Sequence, residues 1–484
     1  MNVKFQVRYQ WNKYKGGQKM NSRSRWLMIS VGLGILLNPL NSSMISVAIA
    51  RLQHVYSIDF TAVSWIVFSF YIASAIAQPV MGKASDVFGR RKIFLAGLVV
   101  SLVSSILAPF SPNFGWLIVS RIVQSIGTSM LIAVGTAIVR IHITEKQADA
   151  LAGLSIFLSG AAAIGPFAGG VLIQWWDWPA IFLVNIPFVV ASFILAWKMI
   201  PNDGSAATVS RDMSFRKLLG VIDVPGILLF AVGLIAFLVG LLSAKSSGHF
   251  SMWNIIVVLT GLVALGIFVR HELKTVSPFI PLRTFAKYPG MTWANIQYLL
   301  VNLLYYSLFF GIPSYLQMVR HVSEFQTGIL MLTLGLSSIV ASPIAGKWVG
   351  KSGPRPALIV SSLLMVVGAV WIVTWTQSSP VISVCLALAA FGFSNGLNAV
   401  SMQAALFKSS PKEIAGVASG LFNTSRYLGT ILSSLLTGII MGGAFNFTGF
   451  RLLGVFLTVI ALVLVFISLR FRYSEQLDEP STTN

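Results

Sequence analysis

Apolar residues in this chain fall into long unbroken blocks. They neither alternate nor follow the three-and-four spacing of a helix lying on a soluble core. Fourteen such blocks span 26–50, 63–81, 93–110, 115–139, 150–173, 180–197, 224–243, 252–269, 292–317, 327–346, 357–377, 381–405, 416–440 and 452–469. A membrane-crossing helix needs about 20 predominantly apolar residues. It also satisfies its own backbone hydrogen bonds where no water is present. A β-barrel would show alternating apolar and polar positions, which these blocks do not. The pattern predicts an all-α polytopic membrane protein with 14 transmembrane helices.

Composition narrows the class further. Of 484 residues, 56% are apolar and only 10% charged, whereas a soluble domain carries about 25% charged residues. A single cysteine, Cys385, excludes a disulfide scaffold. The net charge of +20 reflects topology, because 28 of the 34 Lys and Arg residues fall on one alternating set of connections and only Arg51, Lys245, Arg320 and Arg451 on the other. Such asymmetry puts the basic set, with both termini, in the cytoplasm. Its natural partner is a bilayer with anionic headgroups, and nothing in it points to nucleic acid.

The connection after the second block reads Gly82-Lys83-Ala84-Ser85-Asp86-Val87-Phe88-Gly89-Arg90-Arg91, and the one after the tenth reads Gly346-Lys347-Trp348-Val349-Gly350-Lys351-Ser352-Gly353-Pro354-Arg355. The glycines, Lys83/Lys347 and Arg91/Arg355 match at a constant offset of 264. Both connections follow the second helix of a group of six once blocks seven and eight are set aside as an insertion. The expected organisation is a basic cytoplasmic tail over 1–25, a six-helix bundle over 26–199, a linker with inserted helices 7 and 8 over 200–290, a second six-helix bundle over 291–470 and a C-terminal tail over 471–484. Duplicated bundles around a midplane cavity are the architecture of secondary transporters.

These motifs resemble the major facilitator superfamily, and within it the fourteen-helix drug:proton antiporter branch (multidrug efflux type). Residues 82–92 resemble the signature loop between helices 2 and 3. Gly165-Pro166-Phe167-Ala168-Gly169-Gly170 is similar to the antiporter motif of helix 5. Trp176, Trp178, Phe182, Asn185 and Pro187 resemble a stretch opening helix 6, and residues 278–285 and 416–429 are also similar to that branch. The resemblance implies a major facilitator fold (6 + 2 + 6 helices) working by alternating access in a bacterial cytoplasmic membrane. It further implies a conformational latch at Gly82, Asp86, Gly89, Arg90 and Arg91, and helix packing at Gly165, Pro166, Gly169 and Gly170 that seals the cavity.

Candidate substrate contacts come from polar residues inside the apolar blocks. Arg121 lies within segment 4, where an intramembrane cation ordinarily faces a cavity or a partner, and Gln124 follows on the same face. Arg426 is similarly placed in segment 13. Asn38 and Asn41 in segment 1, Asn302, Tyr305 and Tyr306 in segment 9, and Asn395 and Asn398 in segment 12 either line the cavity or hydrogen-bond helices together. All fourteen acidic residues fall in connections, tails or helix ends. In the similar drug antiporters an acid commonly stands where Asn41 stands, so protons remain an open coupling partner.

The leading expectation is efflux of a drug-like or amphipathic small molecule. The alternative is a facilitator or symporter of a neutral or anionic metabolite without an intramembrane proton-coupling carboxylate. No metal-ligand spacing, Walker loop or catalytic triad appears, so neither a metal, a cofactor nor an enzymatic activity is expected.

Overall fold

The computed structural model describes residues 21–143, 147–202, 223–246, 251–276, 278–376, 378–411, 414–441 and 445–470. Most of both expected tails and of the 198–223 connection lies outside them. The described residues form helices α1 (Ser22–Ile35), α2 (Leu37–Tyr56), α3 (Phe60–Val63), α4 (Trp65–Phe88), α5 (Arg90–Leu107), α6 (Phe114–His142), α7 (Gln147–Trp176), α8 (Ala180–Leu183) and α9 (Asn185–Met199). They continue with α10 (Val224–Ser246), α11 (Met252–Glu272), α12 (Leu282–Lys287), α13 (Pro289–Ser314), α14 (Glu324–Ser352), α15 (Pro354–Val373), α16 (Val381–Lys408), α17 (Ala415–Met441) and α18 (Phe447–Arg470).

Short polar residues between the apolar blocks start several helices by accepting orphan backbone N–H groups. Asp59 Oδ1 accepts from Ala62 N at 2.6 Å, Asn113 Oδ1 from Trp116 N at 3.0 Å and Ser323 Oγ from Gln326 N at 3.2 Å. α1 and α2 meet at Leu36 and together make one membrane-length element, Ser22–Tyr56.

Thirteen helical stretches among the described residues are long and apolar enough to cross a bilayer. The expectation of fourteen differs at segment 416–440. It is helical as α17, 27 residues long, but is not one of the thirteen. Arg426 and a run of Ser, Thr and Asn residues lower its apolarity, and part of that polar face meets the other bundle.

The repeat has a physical basis in three dimensions. Gly89 and Gly353, 264 positions apart, adopt φ of 95° and 75° between consecutive long helices. That left-handed region favours glycine. The matched arginines do equivalent work. Arg91 Nη2 donates to the carbonyl of Trp197 near the end of α9, at 2.7 Å, and Arg355 Nη2 donates to the carbonyl of Leu469 near the end of α18. Each cation thus sits on the negative end of the sixth helix of its own bundle.

Within the first bundle α6 packs on α4 and α5, and α2 packs on α7; within the second α16 packs on α14 and α15, and α15 on α18. Between bundles the main contacts are α7 with α14, α4 with α17, and α2 with α13. The second helix of each bundle therefore packs on the fifth of the other, as a two-fold relation between halves requires. α10 and α11 pack chiefly on each other, with light contact to α4 and α17 through α10.

The halves close on each other at one end. Gly170 of α7 lies against the backbone of Glu324 and Phe325, and Gly328 of α14 against Pro166 and Phe167. Phe60 and Phe445 meet edge to face at 5.2 Å. Gln317 Nε2 donates to Val47 O at 3.0 Å. At the opposite, basic end Gly82, Gly346 and Gly350 face open space.

At the closed end Arg51 makes a bidentate pair with Asp177, Nε to Oδ1 at 2.8 Å and Nη2 to Oδ2 at 2.7 Å. Arg51 holds the Asp177 carboxyl below the ordinary carboxylate range against the opposing effect of burial, with help from the Trp178 N–H. Because the folded pKa is depressed, the stabilisation is complete above the unfolded value of about 3.9. It is lost as pH falls through the lower folded value. With side-chain exposures of 36% and 42%, the pair contributes no more than about 1 kcal/mol. Thermal unfolding in detergent should show wild type slightly above Asp177→Asn at neutral pH, with the gap closing only below pH of about 4. A gap that persists in strong acid would refute the assignment.

Candidate functional site

The candidates form two groups: a polar network within the first bundle on α2, α6 and α9, and an aromatic cluster where α4 meets α13 and α17. Arg121, on α6, is 1% exposed. Its Nη1 donates to Gln124 Oε1 at 2.6 Å, three residues along the same face. Gln124 Nε2 donates in turn to Asn41 Oδ1 on α2 at 3.1 Å, and Asn185 Nδ2 on α9 donates to the same oxygen at 2.8 Å. Asn41 Nδ2 is taken by its own helix, at Leu37 O, 2.7 Å. One amide oxygen thus gathers donors from two other helices, in an order that an amide but not a hydrocarbon can supply.

Arg121 does not snorkel to an interface. Its guanidinium carbon stands 4.3 Å from the centre of the Phe70 ring, which covers it. In this conformation Arg121 is covered inside the first bundle, and its Nε has no hydrogen-bond partner among the described residues. Asn38 holds α2 to α6 through Thr128 Oγ1 at 3.1 Å.

Arg426, on α17, is half-buried. Its Nη2 donates to Tyr427 Oη at 3.0 Å and its guanidinium lies 4.8 Å from that ring. Gln78 Nε2 of α4 donates to the same hydroxyl, so one hydrogen-bonded bridge joins the two bundles. The rings of Tyr71 from α4, Tyr306 from α13 and Tyr427 from α17 meet with centroids 5.7 and 5.9 Å apart. Tyr305 and Tyr306 pack edge to face at 5.4 Å, and Tyr298 stacks on Phe422 at 3.6 Å. Among the described residues no carboxylate pairs with either arginine.

The remaining candidates separate. Asn302 donates to Tyr298 O one turn back at 2.7 Å and lies against Gly429 of α17. Asn395 reaches Ser338 Oγ of α14 at 3.3 Å. Asn398 is 1% exposed, and its Oδ1 accepts from Ser361 Oγ at 3.1 Å between α15 and α16, which makes it a tie within the second bundle and not a cavity group. Asp86 pairs with Arg90 one turn away at 2.8 Å, both partly exposed, so the two residues expected to act as a latch pair with each other in this conformation. Gly165 and Gly169 pack on Ser43, Met44 and Val47 of α2, while Gly170 meets α14 of the other bundle. Pro166 sits inside α7, with its carbonyl against Gly328.

Four contributors were not expected as site residues: Phe70, Tyr71, Gln78 and the Asn185 donor. Tyr71, Ser74 and Gln78 recur at three- and four-residue spacing inside an otherwise apolar block, which is a legible polar stripe. Asn185 belongs to the helix 6 motif, but only the fold reveals its partner, Asn41.

The chain also resembles known proteins over nearly its whole length. It is 42% identical over 453 residues to the MFS-type transporter YwoD of Bacillus subtilis (strain 168), covering 93% of this chain and 98% of that one. It is 29% identical over 407 residues to a multidrug resistance protein B homolog of Mycobacterium tuberculosis (strain ATCC 25618 / H37Rv), covering 81% of this chain and 72% of the relative. Its fold matches a crystal structure of the nucleoside transporter NupG with a TM-score of 0.61 at 12% identity, covering 93% of this chain and 100% of that one. The family model of the Major Facilitator Superfamily matches residues 31–434. With two bundles packed second helix on fifth and many apolar helices, the chain is a multi-pass membrane transporter that belongs to the Major Facilitator Superfamily.

Proposed function

We propose that this transporter exports drug-like, amphipathic small molecules that are neutral or anionic. It does so by rocking bundle 26–199 against bundle 291–470, with residues 200–290 as an inserted pair. In this reading fourteen helices cross, as in the drug:proton antiporter branch, and both termini are cytoplasmic. The basic, open end is then the cytoplasmic end and the conformation faces inward.

The observation that carries the substrate class is the cluster between the bundles. Tyr71, Tyr306 and Tyr427 offer ring faces, Gln78 and Arg426 offer N–H donors, and among the described residues no acid lies beside them to balance an organic cation. A cationic substrate entering here would meet like charge in a medium that screens it poorly. An amphipathic molecule with a carbonyl, phenolate or carboxylate group would find stacking surfaces and donors together. The resistance function in the printed name of the mycobacterial relative supports export in preference to uptake.

A growth-inhibition screen across neutral, anionic and cationic compounds, with and without expression of the chain, tests this. Protection is expected against neutral or anionic amphiphiles. Protection confined to cations would reject the substrate class. Facilitated uptake or symport of a metabolite is favoured by the same absence of a membrane carboxylate. It predicts sensitisation or improved growth on that metabolite, with no protection.

A further inference from the structure

A second polar cluster, separate from the tyrosines, lies at the foot of the inserted hairpin on the basic side. Asp223 immediately precedes α10, and His271 and Glu272 end α11. His271 Nε2 lies 2.7 Å from Asp223 Oδ1, which also accepts from Gly226 N at 2.9 Å, while Asp223 Oδ2 accepts from Phe279 N at 3.3 Å. Glu272 is fully buried, at 0% exposure. Its Oε2 accepts from Ile280 N at 2.8 Å. Its Oε1 is buried with no donor directed at it.

That oxygen points at Asp223. A Cβ on Gly226 would stand 2.5 Å from both Glu272 Oε1 and Asp223 Oδ2. The two oxygens are therefore no more than twice that distance apart, so the unpartnered oxygen of Glu272 and a carboxylate oxygen of Asp223 share one pocket. A side chain at 226 would press on both oxygens, and glycine leaves them facing each other. Two carboxylates cannot hydrogen-bond without a proton, because an ionised carboxylate is acceptor-only.

We propose that Asp223 and Glu272 form a proton-binding carboxyl pair that holds one exchangeable proton, carried on Glu272 Oε1 and shared with Asp223 Oδ2. The division of roles follows from the partners. Asp223 has an imidazole and two backbone N–H groups to stabilise its charge, and these outweigh burial to hold its carboxyl below the ordinary carboxylate range. Glu272 has a single backbone N–H. Its other oxygen is satisfied only as the donor in the shared bond.

Among the described residues, His271 from α11, Lys83 from α4 and Arg283 from α12 are charged or titratable groups beside the pair. Lys83 lines a crevice with Pro79, Val80, Asp223, Ile227 and Phe279, and Arg283 is bonded to the Leu273 carbonyl. Loss of the shared proton places two like charges together in a dry pocket, which drives Asp223 and Glu272 apart. Because Asp223 reaches the crevice beside α4, the inserted hairpin then moves against the helix carrying the 82–91 motif. A proton bound here lies outside the tyrosine cluster and needs no acid in the membrane core.

The proton is observable without knowing the substrate. Infrared difference spectra of the full chain in lipid, recorded between mildly acidic and alkaline buffer, should contain a protonated-carboxyl band that titrates. The band should be lost in Glu272→Gln, which is isosteric and keeps the hydrogen-bond donor. In Asp223→Asn the band should persist at a shifted frequency, since Glu272 keeps its proton but loses the carboxylate acceptor. A titrating band that survives Glu272→Gln unchanged, or a wild type without one, would overturn the proposal. These spectra do not depend on any transport assay, so the substrate reading can fail while this one stands.

Discussion

Replacing Arg121 by alanine should reduce transport by about ten- to a hundred-fold while leaving the chain abundant in the membrane. The size follows from the bonds lost. A hydrogen bond to a charged group contributes about 1.5–3 kcal/mol, and about 1.4 kcal/mol is a factor of ten. Without the guanidinium, Gln124 Oε1 loses its 2.6 Å donor, and the amide is free to turn away from Asn41. That oxygen ties α6 and α9 to α2 through Gln124 and Asn185. The Phe70 ring also loses the cation beneath it. Phe70 packs edge to face on Tyr71 at 5.6 Å, so disturbance passes directly into the aromatic contact between the bundles.

Membrane insertion should not suffer, because removing an intramembrane arginine removes a penalty of about 2.5–3.5 kcal/mol. Arg121→Lys separates charge from geometry: an ammonium keeps the cation but not the planar fork. Flux should remain low in the lysine variant if the Gln124 bond is what matters. Export by Arg121→Ala at the wild-type rate, measured with a compound found in the growth screen and normalised to membrane abundance, would remove Arg121 from the working parts.

The sequence shows the architecture because bilayer physics is local. Block length, apolarity and the placement of basic residues follow directly from hydrocarbon thickness and the cost of unpaired backbone groups. The 264-residue offset is legible for a similar reason: a left-handed turn at Gly89 and Gly353 and a cation on a helix end at Arg91 and Arg355 each demand a particular residue type. The polar network is less legible. Asn41 reads as a missing acid, yet its role depends on Asn185, 144 positions away. Asn398 and Arg121 look equally cavity-bound in sequence. The first proves to be a tie to Ser361 and the second is covered by Phe70, since an apolar block does not reveal which of its faces meets lipid, a neighbouring helix or water. Segment 416–440 shows the opposite limit: the polar residues that remove α17 from the set of independently apolar helices are those that give it Arg426 and the bridge to Gln78.

Gly170→Ala should open the closed end. The methyl group would stand 2.5 Å from the Glu324 carbonyl oxygen and 3.2 Å from Phe325 Cα, and these are backbone atoms that cannot rotate aside. Facing it, Gly328 already lies against Pro166 O and Phe167 Cα, so α7 has no slack along this seam and must move away from α14. Overpacking of this kind costs about 1–3 kcal/mol, which shifts a two-state population by about five- to 150-fold. The loss falls on the conformation in which these glycines touch, so the opposite, open conformation gains.

Val47 is the natural reporter. It is fully buried, lies against Gly169 and gives its carbonyl to Gln317 of the other bundle. In a Cys385→Ser background carrying Val47→Cys, a membrane-impermeant thiol reagent added from the side of the closed end should label the introduced thiol at least several-fold faster when Gly170→Ala is present. Gly160→Ala is the matched control on the same helix, since a Cβ there meets nothing within 4 Å, and labelling should stay at the background rate. Equal labelling in the Gly170 and Gly160 variants would mean that the glycine seam is ordinary packing and does not hold the end closed.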